Sequence, residues 1–281
     1  MKHEIIHLKD KFAFLGKNEC DPTVEIFLPD NLAEMQRNDK KRPCMIVCPG
    51  GAYSFCSKRE AEPIGVHFLP KGFNVFVMDY SVAPNKFPTQ LREVAAAVEL
   101  IYENADIWNC NTEKIAIIGF SAGGHLAAHY SNAFDCKEVR EVFPDSKPVS
   151  ASLLCYPVIT ADPEYSNKGS FINLLGKENL SEEDLNRFSC DRLVSKNTPP
   201  AFLWHTAEDD CVPVMNSMLY ANSLDKFKVP FEMHIYPFGP HGLSTADYLT
   251  NNEMNKQKNH VAAWITAAEK WLDLMDFRVE I

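Results

Sequence analysis

The sequence predicts one α/β domain, with a mostly parallel central sheet of about eight strands and helices on both faces. Three observations carry this reading. Short apolar runs alternate with segments of helical period along the chain. The later runs are β-branched or aromatic and apolar on both faces, as strands between two helix layers must be. The length of 281 residues suits a single domain of this class, and no repeat or low-complexity tract divides residues 1–281.

The elements follow in chain order. Glu4–Leu8 and Val24–Leu28 read as early strands whose short link suits antiparallel pairing. Cys44–Cys48 and Phe73–Met78 are continuous apolar runs. Thr89 is placed to cap a helix whose stripe is Leu91, Val94, Ala95, Val98 and Ile101, a period of 3.6 residues. The strand Lys114–Gly119 leads into a helix that starts at Ser121 and runs through Leu126 and Tyr130. Strands at Ala151–Tyr156, Ala201–His205 and Phe231–Tyr236 and helices at Val214–Phe227 and Asn255–Leu274 complete the set. Between Pro157 and Pro200 no strand is evident. Ser181-Glu182-Glu183-Asp184 resembles a capping box that opens a short helix there. An ordered connection this long reads as a lid-like insertion, and its many charges argue against an oily face that meets lipid.

Composition narrows the classes of function. Hydrophobic residues are 46% and charged residues 23%, enough apolar material for a sizeable core. A net charge of -10 gives no counterion-release energy with a phosphate backbone, so nucleic acid is not an expected partner. The same charge repels an anionic membrane surface, and no apolar run is long enough to span a bilayer. Charges interrupt Met1–Asp10, so no signal-peptide core is read there. The nine cysteines are odd in number and lack paired zinc-type spacing, which reads as free thiols in a reducing compartment, with a cytoplasmic address and no metal or other cofactor.

The chemistry concentrates in a few segments. Gly119-Phe120-Ser121-Ala122-Gly123-Gly124 stands between a strand and a helix, the context in which a G-x-S-x-G pentapeptide lifts a nucleophilic serine onto a sharp turn. The helix N-terminus then lies behind any oxyanion that forms. Of the nine histidines, His241 lies in Phe238-Gly239-Pro240-His241-Gly242 directly after the last strand, at the sheet edge where α/β sites form. Glu208, Asp209 and Asp210 follow a strand in the interval where an orienting acid belongs, with Asp162 as a more distant candidate. Pro49-Gly50-Gly51-Ala52-Tyr53 follows the run Cys44–Cys48, where the N–H groups of Gly51 and Ala52 can join that of Ala122 as oxyanion donors.

Together with Asp79-Tyr80-Ser81-Val82-Ala83-Pro84, His125-Leu126-Ala127, Asn173-Leu174-Leu175-Gly176, Thr198-Pro199-Pro200, Trp204-His205-Thr206 and Pro240-His241-Gly242, these segments resemble the α/β-hydrolase esterases. More narrowly they resemble the bacterial acetyl, feruloyl and xylan esterase group, over about Cys44 to Gly242. The resemblance implies an α/β-hydrolase fold, Ser121 as nucleophile, His241 as base and, four residues before Pro213, Asp209 as the acid. Two positions depart from the family pattern: Pro49 stands for the usual histidine of the oxyanion loop, and Ala52 for its third glycine. Family members act on small acyl esters, often acetyl groups on cell-wall sugars. The implied function is a serine carboxyl-ester hydrolase acting on a small ester, with an acetylated oligosaccharide as candidate substrate. Tyr53, Phe55, Tyr156, Phe171 and Leu174 are candidates for the pocket wall. An amide hydrolase of the arylformamidase or peptidase type is the rival enzyme reading, and a non-catalytic binding module is the third. A homo-oligomer is compatible with the sequence.

Overall fold

A computed structural model describes residues 1–16, 19–37 and 39–279. Eight strands are present among them: β1 Lys2–His7, β2 Thr23–Leu28, β3 Arg42–Cys48, β4 Asn74–Asp79, β5 Cys110–Phe120, β6 Ala151–Cys155, β7 Ala201–Thr206 and β8 Phe231–Tyr236. They form one sheet in the order β1-β2-β4-β3-β5-β6-β7-β8. β1, β2 and β4 pair antiparallel, and the run from β4 through β3 to β8 is parallel. This is the mostly parallel, helix-covered sheet that the alternating pattern predicts, and it has the α/β-hydrolase architecture that the resemblance implies.

The two-residue period of each strand sorts its side chains between two cores. Cys44, Ile46 and Cys48 of β3 join Ile117, Leu154 and Leu203 on one face, under the helices Thr89–Glu103 and Ala122–Ala133. Met45 and Val47 join Ile118, Leu153, Phe202 and Trp204 on the other, under Glu62–Phe68 and Ala263–Leu274. All seven residues of β3 are buried, which explains why its sequence is a continuous apolar run and not an alternating one.

Most boundaries shift by one to four residues from the sequence reading, β5 most of all, since it starts at Cys110 and not Lys114; four differences have a structural reason. Leu8 is fully buried and starts a helical turn after β1. Tyr156 lies just past β6, with φ +37°. Thr89 is the first helical residue and not the cap; Pro88 precedes it, and the Thr89 N–H donates to the Lys86 carbonyl at 3.0 Å. The long C-terminal helix is two helices, Lys256–Val261, capped by Asn255, and Ala263–Leu274. Sequence periodicity missed Glu62–Phe68, a helix of only two turns that holds Pro63 and Gly65.

The segment 157–200 contains the helices Lys168–Leu175, Glu182–Phe188 and Cys190–Leu193. Its Phe171, Leu174, Phe188, Cys190 and Val194 are buried in the same core as β3 and the helix Ala122–Ala133. The insertion is therefore packed as part of the domain. The expected capping box is present: Ser181 Oγ accepts from the Asp184 N–H at 3.2 Å, and the Asp184 carboxylate accepts from the Ser181 N–H at 2.8 Å. No helix among the described residues is long and apolar enough to cross a membrane.

Replacing Ser181 by Ala removes one half of this reciprocal cap. The expected loss is about 1 kcal/mol of stability, read as a lower urea midpoint at unchanged slope.

Candidate active site

The site lies past the C-terminal ends of β3, β5, β7 and β8. β5 ends at Phe120 and the next helix starts at Ala122, leaving Ser121 alone in the turn at φ +53° and ψ -119°. A non-glycine residue in that region is strained by about 1–3 kcal/mol and must be held by its surroundings. The Ser121 N–H donates to the Cys155 carbonyl at 3.0 Å, and its carbonyl accepts from His125 and Val158 at 3.1 and 3.0 Å. The glycines allow the turn to close. A Cβ on Gly119 would stand 2.2 Å from the Gly123 oxygen, and a Cβ on Gly123 would stand 2.2 Å from the Cys48 oxygen of β3.

Two further loops converge on Ser121. His241 follows β8 and places Nε2 2.8 Å from Ser121 Oγ and Nδ1 2.6 Å from Asp209 Oδ2. In this arrangement Nδ1–H donates to the carboxylate and Nε2 accepts from the serine hydroxyl. Asp209 is buried in the turn after β7, where its Oδ1 accepts from the Cys211 and Val212 N–H groups at 3.0 and 2.8 Å. Burial pushes this carboxyl up, but hydrogen bonds from His205 and His241 outweigh it and hold Asp209 below the usual carboxylate range. The neighbouring acids are placed elsewhere. Glu208 accepts from the Gly239 N–H at 3.3 Å, Asp210 is exposed, and Asp162 accepts from the Glu164 N–H at 3.0 Å.

His205, which the sequence suggested only as a strand end, is fully buried beside the acid. Its Nε2 lies 2.9 Å from the Val212 carbonyl and 3.2 Å from Asp209 Oδ2, and its Nδ1 lies 2.8 Å from Ser217 Oγ. Its i,i+4 spacing from Asp209 across a strand end was the available signal.

The loop after β3 runs through three consecutive left-handed residues, Gly51 at φ +131°, Ala52 at +52° and Tyr53 at +56°. Its own Ser54 and Phe55 N–H groups donate to the Gly51 carbonyl at 2.9 and 3.2 Å, and other segments hold it from outside. Tyr80 O–H donates to the Pro49 carbonyl at 2.6 Å, and Glu60 accepts from the Gly50 N–H at 2.9 Å. Asn173 Nδ2 donates to the Ala52 carbonyl at 2.8 Å, and the Ala83 N–H donates to the Tyr53 carbonyl at 2.8 Å. The motifs around Tyr80 and Asn173 thus serve this loop. Among the described residues, none accepts a hydrogen bond from the N–H of Gly51, Ala52 or Ala122.

A cavity of about 280 Å³ opens here, lined by Gly51, Ala52, Phe55, Ser57, Arg59, Glu60, Ser121, Asn167, Cys211, His241 and Gly242. Of the five residues expected at its wall, Phe55 alone lines it. Tyr53 is buried because the left-handed backbone turns its ring inward, and its hydroxyl meets His125 Nδ1 at 2.8 Å. Tyr156 is buried behind His241, ring edge to ring face at 5.0 Å between centroids. Phe171 packs edge-on against His125 at 5.2 Å, and Leu174 is buried in the core. Ser57, Arg59, Glu60, Asn167 and Cys211 were not singled out in the sequence. The polar run Ser57–Glu60, directly downstream of the glycine turn, was the available signal. A larger groove of about 710 Å³ beside Phe238 and His260 contains none of these three loops' reactive groups.

No group of three or more His, Cys, Asp or Glu among the described residues could hold a metal ion. All nine cysteines are free; five are buried, and Cys211 is exposed.

His125 joins the site to the insertion, with Nε2 donating to the Phe188 carbonyl at 2.9 Å and Nδ1 accepting from Tyr53. Burial pushes this imidazole down to about 4, with the Phe188 carbonyl opposing. The unfolded chain takes up this proton near the ordinary histidine value, so folding stability falls as pH drops through the window between the two. The expected loss through His125 between neutral pH and about pH 4 is on the order of 3 kcal/mol. Urea unfolding at a series of pH values measures it, and a His125→Gln variant should show a shallower slope over that window.

The BD-FAE family model matches residues 26–224. The chain is 39% identical over 231 residues to endo-1,4-beta-xylanase B of Butyrivibrio fibrisolvens, covering 79% of this chain and 35% of that protein. It is 32% identical over 236 residues to the acetylxylan esterase of Xylanibacter ruminicola, covering 83% of this chain and 46% of that protein. The chain therefore spans less than half the length of either of these curated relatives. The crystal structure of an acetyl ester-xyloside bifunctional hydrolase from Caldicellulosiruptor lactoaceticus superposes with a TM-score of 0.84 at 34% identity, covering 98% of this chain and 97% of the other. On this fold, this family match and these relatives, the chain belongs to the BD-FAE family of α/β-hydrolase esterases.

Proposed function

We propose that this chain is a serine carboxyl-ester hydrolase that removes acetyl-sized acyl groups from small carbohydrate esters through an acyl-enzyme. The observation that carries the reading is the unbroken hydrogen-bonded chain Ser121–His241–Asp209, which opens on a cavity beside three N–H groups without an acceptor among the described residues. His241 Nε2 takes the Ser121 proton as Oγ attacks the ester carbonyl, and Asp209 stabilises the imidazolium that forms. The N–H groups of Gly51, Ala52 and Ala122 receive the oxyanion. His241 then returns the proton to the leaving alcohol oxygen. His241 Nε2 then deprotonates a water that attacks the acyl-enzyme, and it gives that proton to Ser121 Oγ as the acyl–oxygen bond breaks and the carboxylic acid leaves.

The size of the cavity supports a small ester. Its volume of about 280 Å³ lies at the low end for ligand pockets, and the Ser57 hydroxyl and the Arg59 guanidinium at its wall offer hydrogen bonds to sugar hydroxyls. The names of two relatives, an acetylxylan esterase and an acetyl ester-xyloside hydrolase, point to the same substrate class. With a net charge of -10, the protein is proposed to act in the cytoplasm on soluble esters and not on nucleic acid or a lipid surface.

Ser121→Ala and Asp209→Asn should each lower kcat for p-nitrophenyl acetate by roughly 10⁴-fold while circular dichroism stays unchanged. Near-normal turnover in either folded variant sinks the mechanism. Across a series of acyl esters, acetyl should be fastest, with kcat/KM falling roughly 10-fold for each methylene the cavity refuses. An optimum at octanoyl, or faster cleavage of the matching amides, overturns the proposed substrate class.

A further inference from the structure

Glu60 is buried between two loops that the proposed mechanism uses separately. Its Oε2 accepts from the Gly50 N–H at 2.9 Å, and its Oε1 accepts from the Tyr156 O–H at 2.6 Å. The Tyr156 oxygen accepts in turn from the Ser244 N–H at 2.9 Å, while the ring of Tyr156 packs against His241. Beside it, the Arg59 guanidinium donates to the Gly242 carbonyl, and the Arg59 carbonyl accepts from Ser244 Oγ at 2.5 Å. Thus one oxygen of Glu60 grips the glycine loop, and the other grips the histidine loop through a single phenol. The contact adjoins the nucleophile: a Cβ on Gly50 would stand 2.6 Å from Glu60 Oε2 and 3.0 Å from Ser121 Cβ.

The choice of a carboxylate here has a physical reason. Both partners are donors, so both oxygens must accept, which an ionised carboxylate does and an amide cannot. Burying a carboxyl is unfavourable; burial pushes Glu60 up from the ordinary carboxylate value, and the hydrogen bonds from Tyr156 and Gly50 offset part of that. An apolar residue here would leave the Gly50 N–H and the Tyr156 O–H buried without an acceptor. One acceptor side chain thereby ties the two loops together.

We propose that Glu60 is a positioning residue which, by holding Gly50 and the His241 loop at once, sets the distance between the oxyanion donors and the general base. This rests on the hydrolase reading above. A misplacement of about 1 Å at such a site can cost 10²-fold in rate, so the effect belongs in kcat and not in KM.

The test compares wild type with Glu60→Gln, Tyr156→Phe and the double variant, using p-nitrophenyl acetate as substrate and fluorophosphonate titration to count competent serines. In Glu60→Gln, kcat per titrated serine should fall roughly 10- to 100-fold with KM within about 3-fold. Tyr156→Phe should fall in the same direction, and the double variant should be less than additive, because both act through one chain of contacts. The pH profile gives a second reading. The titratable groups around Glu60 are Tyr156 and Cys155 at the end of β6, Tyr80 beyond β4, His241, and its neighbour Arg59. Removing an anion beside an imidazolium disfavours the imidazolium, so the acid limb of kcat/KM should move to lower pH in Glu60→Gln. If Glu60→Gln does not fold, Tyr156→Phe supplies the turnover comparison. Wild-type turnover per titrated serine and an unmoved acid limb in the folded variants, whatever their melting temperatures, overturn the inference alone. A wild-type chain that neither labels nor hydrolyses overturns the hydrolase reading, and this inference with it.

Discussion

Three chain segments meet at Gly119 and Gly123: the end of β5, the helix that follows it and the end of β3. At these positions any side chain would drive a carbon into a backbone oxygen 2.2 Å away. This near-contact of backbones holds Ser121 in its left-handed turn, and everything else in the site is arranged around that turn. β3 must end beside β5 for its glycine loop to reach the serine, and the register pairing Cys48 with Gly119 puts it there. β7 and β8 lie farther along the sheet, and their loops lean back over β6 to bring Asp209 and His241 to the same point. The strain at Ser121 is thus sustained by parallel-sheet geometry and not by any single strong bond.

Around this constraint lies a layer of polar side chains that contact no substrate in the proposed mechanism. Tyr80, Asn173 and Glu60 each hold one peptide group of the glycine loop, while His205 holds the acid. The loop has a proline where its relatives in sequence pattern have a histidine, and its left-handed shape is held both by these outside groups and by its own Ser54 and Ser57, whose N–H groups donate to the Gly51 and Gly50 carbonyls at 2.9 Å each. The anchoring is distributed over β4, the insertion and the segment before Glu62–Phe68. Buried donors and acceptors placed this way resist drift because releasing any of them strands an unpaired polar group, at about 1–3 kcal/mol each.

Much of this was legible in the sequence, and for identifiable reasons. Strands with continuous apolar runs, such as Cys44–Cys48 within β3, announce themselves because the layers on both sides demand it, whereas the edge strand Phe231–Tyr236 carries Glu232 and His234 and buries only Tyr236 fully. Ser121 and His241 stand out because each follows a strand end in a turn signature, whereas Asp209 is separated from Glu208 and Asp210 only by the family resemblance. The pocket wall was misread where side-chain direction depends on backbone sign. Tyr53 and Tyr156 adjoin the serine in sequence pattern, but their positive φ values swing both rings into the core. Phe171 and Leu174 were assigned to the wall because the insertion was read as a cover, whereas their apolar surface completes the main core. Glu60 is silent in the sequence because only the fold brings the Gly50 N–H and the Tyr156 hydroxyl to it, and the motif that contains Asn173 does not display its partner, the Ala52 carbonyl.

The packing of the insertion bears on how this scaffold can diversify. Residues 157–200 contribute Phe171, Leu174, Phe188 and Cys190 to the interior, and through His125 and Asn173 they are hydrogen-bonded to the helix behind the serine and to the glycine loop. Exchanging this stretch for that of a relative would therefore be an organ transplant and not a change of clothing: the graft must match an existing interior before it can offer a new surface. Changes of specificity in such a chain are accessible by single substitutions at Phe55 or Cys211, which line the opening. Wholesale replacement of the stretch that frames it would require the core and the glycine loop to change with it.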